Sequence, residues 1–366
     1  MPGYSPNRRQ LLQHLGLSAT LLSTGVSPHL LASPSRKIGV ALVGLGYYST
    51  DWLAPALQLT QHCELRGIVT GSPEKIPVWQ EKYGIPDGNV YNYDNLHEVA
   101  NNPDIDVIYV VTPTSTHKRF SLIAANAGKH VWCEKPMAMD EAECREIIEA
   151  CRKNNVKLTI GYRMHHEPNT QTVMSLAESQ PFGPIENVTA HAAYDGGTEW
   201  DPAFWKLRWD MGGGAMYDMG VYPLNGARYA TGEEPIAVTA RHEETLPDVF
   251  TEGDSTTYFT LEFPSGAVAE CMTSMVKTGN KLEVNCTEGW YRLEPMSEFS
   301  GVQGSASNGG KLNKTVANQQ AAQMDNDALA IIHDTDVLVP GEEGLKDIRV
   351  VVAALKSARE GRRIVL

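Results

Sequence analysis

The sequence predicts an α/β fold with two domains: a parallel sheet with helices between its strands, then an α+β domain with a large open, mainly antiparallel sheet. Three observations support this prediction. Residues 36–161 alternate apolar strands with helices, a glycine-rich turn follows the first strand, and segments of alternating polarity dominate after Pro184. A chain of 366 residues is also long for a single hydrophobic core, so two domains are expected.

The first strand, residues 38–43, is a continuous apolar run, as expected for a strand buried on both faces. It leads into Gly44-Leu45-Gly46-Tyr47-Tyr48-Ser49 and then a helix to about Leu59. The motif G-x-G-x-x-S between a strand and a helix is typical of a turn that binds a dinucleotide pyrophosphate, with an ordinary turn as the alternative. It predicts a Rossmann dinucleotide-binding domain.

The end of the second strand (residues 64–69) indicates which cofactor binds. Sites that prefer NAD usually carry Asp or Glu at this position, to bind the ribose 2′-hydroxyl. Here the position is Thr70, followed by Ser72 and Lys75, and these hydroxyls and this cation suit a 2′-phosphate. We therefore predict NADP(H) rather than NAD, with Glu74 capping the next helix.

The fifth strand of this domain, residues 129–133, ends at Glu134-Lys135-Pro136. Pro136 cannot continue a regular strand and restricts Lys135, which is therefore held at the carboxyl end of the strand. In open parallel sheets that edge binds ligands, although an ordinary strand end with a solvated lysine is the alternative. The other predicted elements are strands near 90–91, 106–111 and 157–162 and helices to 128 and over 140–154.

Beyond residue 162 the character of the sequence changes. A helix is followed by six strand-like segments (185–194, 235–242, 256–263, 267–275, 281–286 and 290–294), and residues 212–222 read as a loop entering a helix. A surface loop is predicted over residues 300–314, and helices are predicted over residues 319–333 and 344–359. We therefore assign 36–161 to the Rossmann domain and 162–366 to a substrate-binding and oligomerisation domain, whose last helix packs back on the first domain.

Composition excludes several classes of function. The net charge of −13 argues against a nucleic-acid partner, and no apolar run in the mature region is long enough to cross a bilayer. Six cysteines without a C-x-x-C pair argue against a disulfide framework or a zinc site. No metal is predicted, because the adjacent His165 and His166 cannot readily converge on one ion.

Residues 1–35 read as a targeting segment. Arg8-Arg9 precedes an uncharged, mildly apolar stretch from Leu15 to Ala32, which is typical of a twin-arginine export signal. We therefore expect a periplasmic protein. The alternative is a disordered leader, in which case the protein would be cytoplasmic.

Several motifs together resemble the Gfo/Idh/MocA oxidoreductase family, and within it the glucose-fructose oxidoreductase subgroup. The resemblance covers residues 37–365 and implies a Rossmann domain followed by an open antiparallel sheet, often an oligomer interface, and hence a homodimer or homotetramer. The motifs are Glu134-Lys135-Pro136, the G-x-G-x-x-S turn, Thr112-Pro113 with His117, Asp218-x-x-x-Tyr222, Ile160-Gly161-Tyr162-Arg163, Trp205-x-Leu207-Arg208 and Gly212-Gly213-Gly214.

The resemblance implies hydride transfer at the nicotinamide C4. It implies that Lys135 binds near the cofactor and the reacting sugar hydroxyl, that the Lys135–Pro136 bond is cis, and that Tyr222 is the acid/base with Asp218 one turn before it on the same helix. A tyrosine is a poor base unless a nearby cation stabilises its phenolate, and Lys135 is such a cation. The implied cofactor contacts are Gly44, Gly46, Tyr47, Ser49, Thr70, Ser72, Lys75, Thr112, Pro113, His117, Glu134, Lys135 and Arg163; the implied substrate contacts are Arg208, His165, Asp218 and Tyr222. Structural alternatives stay open: a salt bridge for Arg163, Arg208 and His165, helix packing for Tyr222, and a carboxylate at a helix N-terminus for Asp218.

These features predict a periplasmic NADP(H)-dependent oxidoreductase acting on an aldose, pyranose or related polyol, which couples oxidation of one sugar to reduction of another. The subgroup's Pro-rich arm has no room between Ala32 and Arg36, so a permanently bound cofactor does not follow from the resemblance. Two alternatives remain open: an enzyme that modifies glycosides through transient oxidation, and a non-catalytic sugar or cofactor sensor.

Overall fold

Two β-sheets organise residues 36–366, the part of the chain that the computed structural model describes. The predicted export segment, residues 1–35, lies outside the described residues. Both sheets agree with the predicted fold class: the first is parallel and the second is mainly antiparallel. Within the described range no helix combines the length and apolar character needed to cross a membrane.

The first sheet has six parallel strands within the described chain, in the order β3-β2-β1-β4-β5-β6. The order reverses between β1 and β4, so the connections that follow these two paired strands lead to opposite faces of the sheet and leave a crevice for ligands between them. All six residues of β1 are buried, as its apolar run predicted. The strands are β1 (Ile38–Val43), β2 (Cys63–Val69), β3 (Val90–Tyr91), β4 (Val107–Val110), β5 (His130–Cys133) and β6 (Leu158–Ile160).

Helices connect these strands. The glycine turn enters a π-helical segment, Ser49–Leu53, that continues as a short α-helix. The fourth α-helix begins after Asp140, whose side chain accepts a hydrogen bond from the Glu143 N–H and so caps it. The helices are α1 (Ala54–Leu57), α2 (Ile76–Tyr83), α3 (His117–Asn126) and α4 (Glu141–Lys153), with 3₁₀ turns at Pro73–Lys75, Asp87–Asn89, Leu96–Asn101 and Thr114–Thr116.

The second sheet has nine strands within residues 36–366, in the order β14-β13-β12-β11-β7-β10-β9-β8-β15. Its neighbours are antiparallel except for β7 and β10, which run parallel. The strands are β7 (Ile185–Asp195), β8 (Ala237–Glu243), β9 (Thr256–Glu262), β10 (Val268–Ser274), β11 (Val276–Cys286), β12 (Gly289–Leu293), β13 (Gly304–Ala306), β14 (Lys311–Leu312) and β15 (Ile364–Val365). The predicted surface loop 300–314 was wrong in part, because β13 and β14 pair within it and extend the sheet edge.

The remaining helices pack on one or both sheets. Every residue of the helix Val221–Thr231 is buried, and this helix contacts β7, β10 and β11. The last helix, Gly341–Glu360, contacts α4 and β6 as well as β8, so it joins the layers built on the two sheets. These helices are α5 (Pro168–Ser179), α6 (Ala215–Asp218), α7 (Val221–Thr231), α8 (Gln319–Ile332) and α9 (Gly341–Glu360), with 3₁₀ turns at Arg163–His166, Trp205–Leu207 and Trp209–Met211.

A buried ionic cluster fastens α7 to α9. The Arg228 guanidinium, only 5% exposed, lies 2.6 Å from Asp347 Oδ1 and 2.8 Å from both Glu234 Oε2 and Glu343 Oε2. Asn225 also donates a hydrogen bond to Asp347. A buried carboxylate without its cation would be strongly destabilising, so this cluster makes the position of α7 dependent on α9.

We predict that Arg228→Met lowers the free energy of unfolding by about 3–5 kcal/mol, because it leaves Asp347 buried without its cation. Urea denaturation followed by circular dichroism measures the change. The matched control is Arg363→Met, which removes a solvent-exposed ion pair with Glu262 and should leave the unfolding midpoint unchanged. Equal effects of the two substitutions would contradict a structural role for the buried cluster.

Candidate active site

A cavity of about 630 Å³ lies at the carboxyl ends of β1, β2, β4 and β5 and is closed on the other side by residues from the second sheet and its helices. Its position is the one that the reversal of strand order predicts for a ligand site. It is lined by Gly44, Leu45, Gly46, Tyr47, Tyr48, Thr70, Ser72, Lys75, Tyr93, Val111, Thr112, Pro113, Thr114, Glu134, Lys135, Pro136, Tyr194, Phe204, Trp205, Lys206, Asp218, Met219 and Tyr222.

The glycine turn forms one end of the cavity and fits a dinucleotide phosphate group. Gly44 has φ +91°, and a Cβ there would lie 2.6 Å from the Val111 carbonyl oxygen. A Cβ on Gly46 would meet no atom within 4 Å, so the backbone is open for close approach of a ligand. Ser49 does not line the cavity: it is buried, and its hydroxyl donates a hydrogen bond to the Gly44 carbonyl oxygen at 2.6 Å. Ser49 therefore stabilises the turn on the side away from the cavity.

The residues predicted to face a 2′-phosphate line the same end. Lys75 Nζ donates a hydrogen bond to the Leu45 carbonyl oxygen at 2.8 Å, so its charge lies beside the glycine turn. The Thr70 hydroxyl accepts a hydrogen bond from the Ser72 N–H at 3.0 Å. Glu74 is absent from the described cavity wall and lies in the first turn of the 3₁₀ segment that precedes α2.

Thr112 and Pro113 line the cavity at the end of β4, whereas His117 lies behind it. The two ring nitrogens of His117 lie 2.9 Å from the Pro136 carbonyl oxygen and 2.7 Å from that of Thr112. Burial lowers the pKa of this imidazole despite those two carbonyl groups. His117 therefore connects the segments that follow β4 and β5 through its ring nitrogens. It does not line the cavity in which the cofactor contact was predicted.

Lys135 lines the cavity, and its bond to Pro136 is cis, as the resemblance implied. Its ammonium group donates a hydrogen bond to the Asp218 backbone carbonyl at 2.6 Å and lies 3.8 Å from Asp218 Oδ1. The same nitrogen lies 5.0 Å from the centroid of the Tyr222 ring. Burial lowers the pKa of Lys135, but Tyr222, Asp218 and Glu134 outweigh it and raise the pKa above its ordinary value.

The prediction that Asp218 and Tyr222 share one helix face was wrong. The helix α6 ends at Asp218, and α7 begins at Val221 after a break at Met219-Gly220. The backbone packs tightly at the break, because a Cβ on Gly220 would lie 2.4 Å from the Met216 carbonyl oxygen. Two short helices, not one, bring the carboxylate and the phenol to Lys135.

Two partners of Asp218 were missed by sequence reasoning. Lys206 Nζ lies 2.8 Å and 2.9 Å from its two carboxylate oxygens, and the Tyr194 hydroxyl donates a hydrogen bond to Oδ2 at 3.1 Å. Burial raises the pKa of Asp218, but Lys206 and Lys135, with the hydrogen bonds from Lys206 and Tyr194, lower it further than burial raises it. Asp218 is therefore a buried carboxylate held ionised between two ammonium groups.

Glu134 lines the cavity and is held by a buried network. The Tyr109 hydroxyl donates a hydrogen bond to Glu134 Oε1 at 2.6 Å, and Gln323 of α8 donates to the Tyr109 oxygen at 3.2 Å. Burial raises the pKa of Glu134 more than Tyr109 and Lys135 lower it. Gly161 is required opposite, because a Cβ there would lie 2.6 Å from Glu134 Oε1.

Besides Ser49 and His117, three more predicted contacts do not line the cavity. Arg163 is buried and donates hydrogen bonds to the carbonyl oxygens of Ser297 and Glu298 and to the Gln319 side chain, so its guanidinium joins chain segments. The structure places His165 edge-on against the Tyr229 ring, with centroids 4.8 Å apart. Arg208 is exposed and pairs with Asp210 at 2.6 Å.

Lys206 and Arg208 are two cationic residues that the sequence alone did not distinguish. They are two residues apart in the segment Trp205-Lys206-Leu207-Arg208, and the sequence prediction chose the arginine. The 3₁₀ turn Trp205–Leu207 directs Lys206 into the cavity and Arg208 to solvent. Alternation along β7 placed Tyr194 near the strand end, but no local pattern indicated that it reaches Asp218. No cluster of three metal-ligating side chains occurs among the described residues.

Comparison with protein families matches both parts of the chain. The model of the oxidoreductase family with an NAD-binding Rossmann fold matches residues 38–162. The model of the GFO/IDH/MocA C-terminal domain matches residues 170–292.

Individual relatives agree with these matches. An aldose-aldose oxidoreductase from Caulobacter crescentus, solved with glycerol, is 38% identical with a TM-score of 0.85, over 90% of this chain and 100% of that chain. D-xylose 1-dehydrogenase [NADP(+)] from Haloarcula marismortui is 28% identical over 88% of this chain and 91% of that protein. 1,5-Anhydro-D-fructose reductase from Ensifer adhaerens is 28% identical over 68% of this chain and 73% of that protein.

Proposed function

The chain belongs to the Gfo/Idh/MocA oxidoreductase family, and from that premise we propose that it is an NADP(H)-dependent sugar oxidoreductase that oxidises an aldose at C1 and reduces a second aldose. The observation that carries the proposal is the convergence of Lys135, Asp218 and Tyr222 on one cavity that begins at a dinucleotide-binding turn. The names of the aldose-aldose oxidoreductase and the xylose 1-dehydrogenase support the substrate class.

The chain's own residues supply binding and proton transfer. When bound, the nicotinamide cofactor supplies the hydride acceptor and, once reduced, the hydride donor. The Lys135 ammonium, fixed by the Asp218 carbonyl, donates a hydrogen bond to the oxygen of the reacting hydroxyl. Tyr222, as the phenolate, takes the proton of that hydroxyl, and the cations Lys135 and Arg163, 5.0 Å and 5.2 Å from its ring centroid, stabilise the phenolate before the transfer.

The coupling of two sugars balances without an external oxidant. The first aldose loses a hydride from C1 and a proton from its hydroxyl, and becomes a lactone. The second aldose, in its open form, gains a hydride at its aldehyde carbon and a proton on its oxygen, and becomes an alditol. Tyr222 receives the proton in the first step and returns it in the second, so the same cavity serves both.

NADP(H) is favoured over NAD(H) by the wall near the glycine turn. Lys75, Thr70 and Ser72 line this end, and none of the described residues that line the cavity there is an Asp or Glu. A cation and hydroxyl groups match a phosphate, whereas a ribose hydroxyl is usually bound by a carboxylate.

Location and assembly complete the proposal. The arginine pair and uncharged stretch within residues 1–35 support twin-arginine export to the periplasm, where a coupled reaction would need no soluble nicotinamide pool. The extent of the second sheet supports a homodimer or homotetramer that covers its outer face.

We predict that the purified protein with NADP⁺ and D-glucose or D-xylose develops the near-ultraviolet absorbance of reduced nicotinamide. With a second aldose and only catalytic NADP⁺, lactone and alditol should accumulate in equal amounts, measured by chromatography. Failure to bind any nicotinamide cofactor would refute the proposal. Release of phenol from an aryl glycoside would instead assign the glycoside-modifying alternative.

Lys135→Ala and Tyr222→Phe should each lower kcat by about 10²–10⁴-fold, because each removes a group that acts on the reacting hydroxyl. The dissociation constant for NADPH, measured by fluorescence titration, should change far less than kcat in Lys135→Ala and very little in Tyr222→Phe. The matched controls Lys311→Ala and Tyr83→Phe alter residues outside the described cavity and should keep full activity. A Tyr222→Phe protein with unchanged kcat would exclude Tyr222 as the acid/base.

Lys75→Met should weaken NADPH binding by about 10- to 100-fold, as expected for loss of one charge-assisted hydrogen bond, and should leave NADH binding nearly unchanged. Fluorescence titration with both cofactors measures the ratio. Lys82→Met, on the exposed side of α2, is the control. An equal loss for both cofactors would show that Lys75 does not bind the 2′-phosphate.

Asp218→Asn should move the alkaline limb of the pH profile of kcat/KM to lower pH. The charged groups facing Lys135 are Tyr222, Asp218, Glu134 and Arg163, and Asp218 is one of those that raise its pKa. Without that carboxylate the Lys135 ammonium loses its proton at a lower pH, and activity that depends on the cation is lost earlier. An alkaline limb that stays at the wild-type pH, with only a lower maximal kcat/KM, would contradict this role of Asp218.

A further inference from the structure

Lys206 faces the cavity beside Asp218 with hydrogen-bonding capacity left over. An ammonium group has three N–H donors, and the hydrogen bonds that the structure gives Lys206 Nζ within residues 36–366 go to the Asp218 carboxylate, at 2.8 Å and 2.9 Å. The side chain is 26% exposed and lines the cavity. One N–H therefore remains for a ligand.

Lys206 and Lys135 flank the same carboxylate oxygen. Asp218 Oδ1 lies 2.8 Å from Lys206 Nζ and 3.8 Å from Lys135 Nζ. The two ammonium groups are therefore neighbours on one wall, at a separation that adjacent hydroxyl groups of one sugar ring can bridge. If Lys135 binds the reacting hydroxyl, Lys206 is placed for the hydroxyl beside it.

The backbone fixes Lys206 in this position. The Gly214 N–H donates a hydrogen bond to the Lys206 carbonyl oxygen at 2.8 Å. A Cβ on Gly213 would lie 2.4 Å from that oxygen, and one on Gly214 would lie 2.2 Å from Asp254 Oδ1. Only glycine permits this approach, so the segment before α6 brings the backbone of Lys206 against the start of the helix that carries Asp218.

Aromatic side chains surround the ammonium group. The ring centroids of Tyr194 and Trp205 lie 5.9 Å from Lys206 Nζ, and that of Phe204 lies 6.0 Å away. All three residues line the cavity. Aromatic surfaces pair with the apolar C–H face of a sugar ring while the few polar groups fix its orientation, which is the usual division of work in a small-molecule site.

We propose that Lys206 determines substrate specificity: it binds the 2-hydroxyl of the aldose, next to the reacting C1, while Phe204 and Trp205 receive the apolar face of the pyranose ring. The inference rests on the proposed oxidation at C1. It assigns the substrate class as an aldopyranose that carries a hydroxyl at C2, and 2-deoxy sugars become poor substrates because Lys206 then lacks its acceptor.

The test compares D-glucose with 2-deoxy-D-glucose, using wild-type protein saturated with NADP⁺ and the variants Lys206→Met and Lys206→Gln. For wild type, kcat/KM should be about 10- to 100-fold lower for the 2-deoxy sugar, the value of one hydrogen bond to a charged group. In Lys206→Met this ratio should fall to near one, and in Lys206→Gln, which keeps an uncharged N–H donor, it should fall to an intermediate value, with NADPH affinity unchanged in both. Lys277→Met is the control: it removes a lysine paired with Glu243 at 2.6 Å, outside the described cavity, and should keep the wild-type ratio.

The pH profile supplies a second readout that loss of packing would not move. The groups facing Asp218 are Lys206, Lys135 and Tyr194, and Lys206 is the first of those that lower its pKa. Lys206→Met should therefore move the acid limb of kcat/KM to higher pH.

The outcomes separate the two proposals. Equal kcat/KM for both sugars in wild type, or discrimination that persists in both Lys206 variants, overturns the assignment of Lys206 while sugar oxidation stands. Wild-type protein that oxidises no aldose overturns the proposed function, and this assignment with it.

Discussion

The Asp218 carboxylate is the interaction on which the arrangement of the site depends. It is 6% exposed, and a carboxylate buried to this extent is stable only when cations and hydrogen bonds surround it. Its partners come from three separate parts of the chain: Lys135 follows β5 of the first sheet, Tyr194 lies one residue before the end of β7 in the second sheet, and Lys206 belongs to the segment before α6. Pairing of the Asp218 carboxylate therefore requires residues of both sheets to meet at the cavity. The same contacts leave both ammonium groups facing the cavity, with donors that the carboxylate does not consume.

The first sheet supplies the other half of the constraint. Its strand order reverses between β1 and β4, so the glycine turn and the end of β5 open on the same crevice. Below the crevice the buried groups are joined to one another: His117 links the segments after β4 and β5, and Tyr109 joins Glu134 to Gln323 of α8. A buried polar group is costly unless it is paired, and each of these pairs is complete only when distant segments are in place. The residues beneath the cavity and those that line it are therefore both fixed in position by the pairing of buried polar groups.

The sequence was sufficient for features that depend on local pattern. The buried run of β1, the glycine turn, the end of β5 at Lys135 and the helices α8 and α9 were all predicted, because their periodicity and turn residues act within a few positions. Features that depend on contacts between distant segments were not predicted. Gly220 and Pro223 were local signals of a helix end and a new helix start, but they did not show where the carboxylate and the phenol would meet, and nothing near residue 206 separated the cavity-facing lysine from the exposed Arg208. His117 and Arg163 were both singled out by motifs, yet neither lines the cavity, because a motif shows that a polar residue matters without showing whether it faces a ligand or another part of the chain.

Arg163 shows why that distinction matters for function. Its guanidinium lies 4.5 Å from the Phe299 ring centroid and 5.2 Å from that of Tyr222, and Phe299 in turn packs against Trp52, with centroids 4.1 Å apart. The Trp52 indole N–H donates a hydrogen bond to the Tyr47 hydroxyl at 2.9 Å, and Tyr47 belongs to the glycine turn. An unbroken series of side-chain contacts therefore runs from the dinucleotide-binding turn to the phenol assigned as acid and base. Arg163 lies outside the cavity wall, but it packs between the Tyr222 ring and the aromatic residues Phe299 and Trp52 beside the turn. A buried cation in this place orients the phenol through the protein interior, because its own hydrogen bonds to Ser297, Glu298 and Gln319 fix its position.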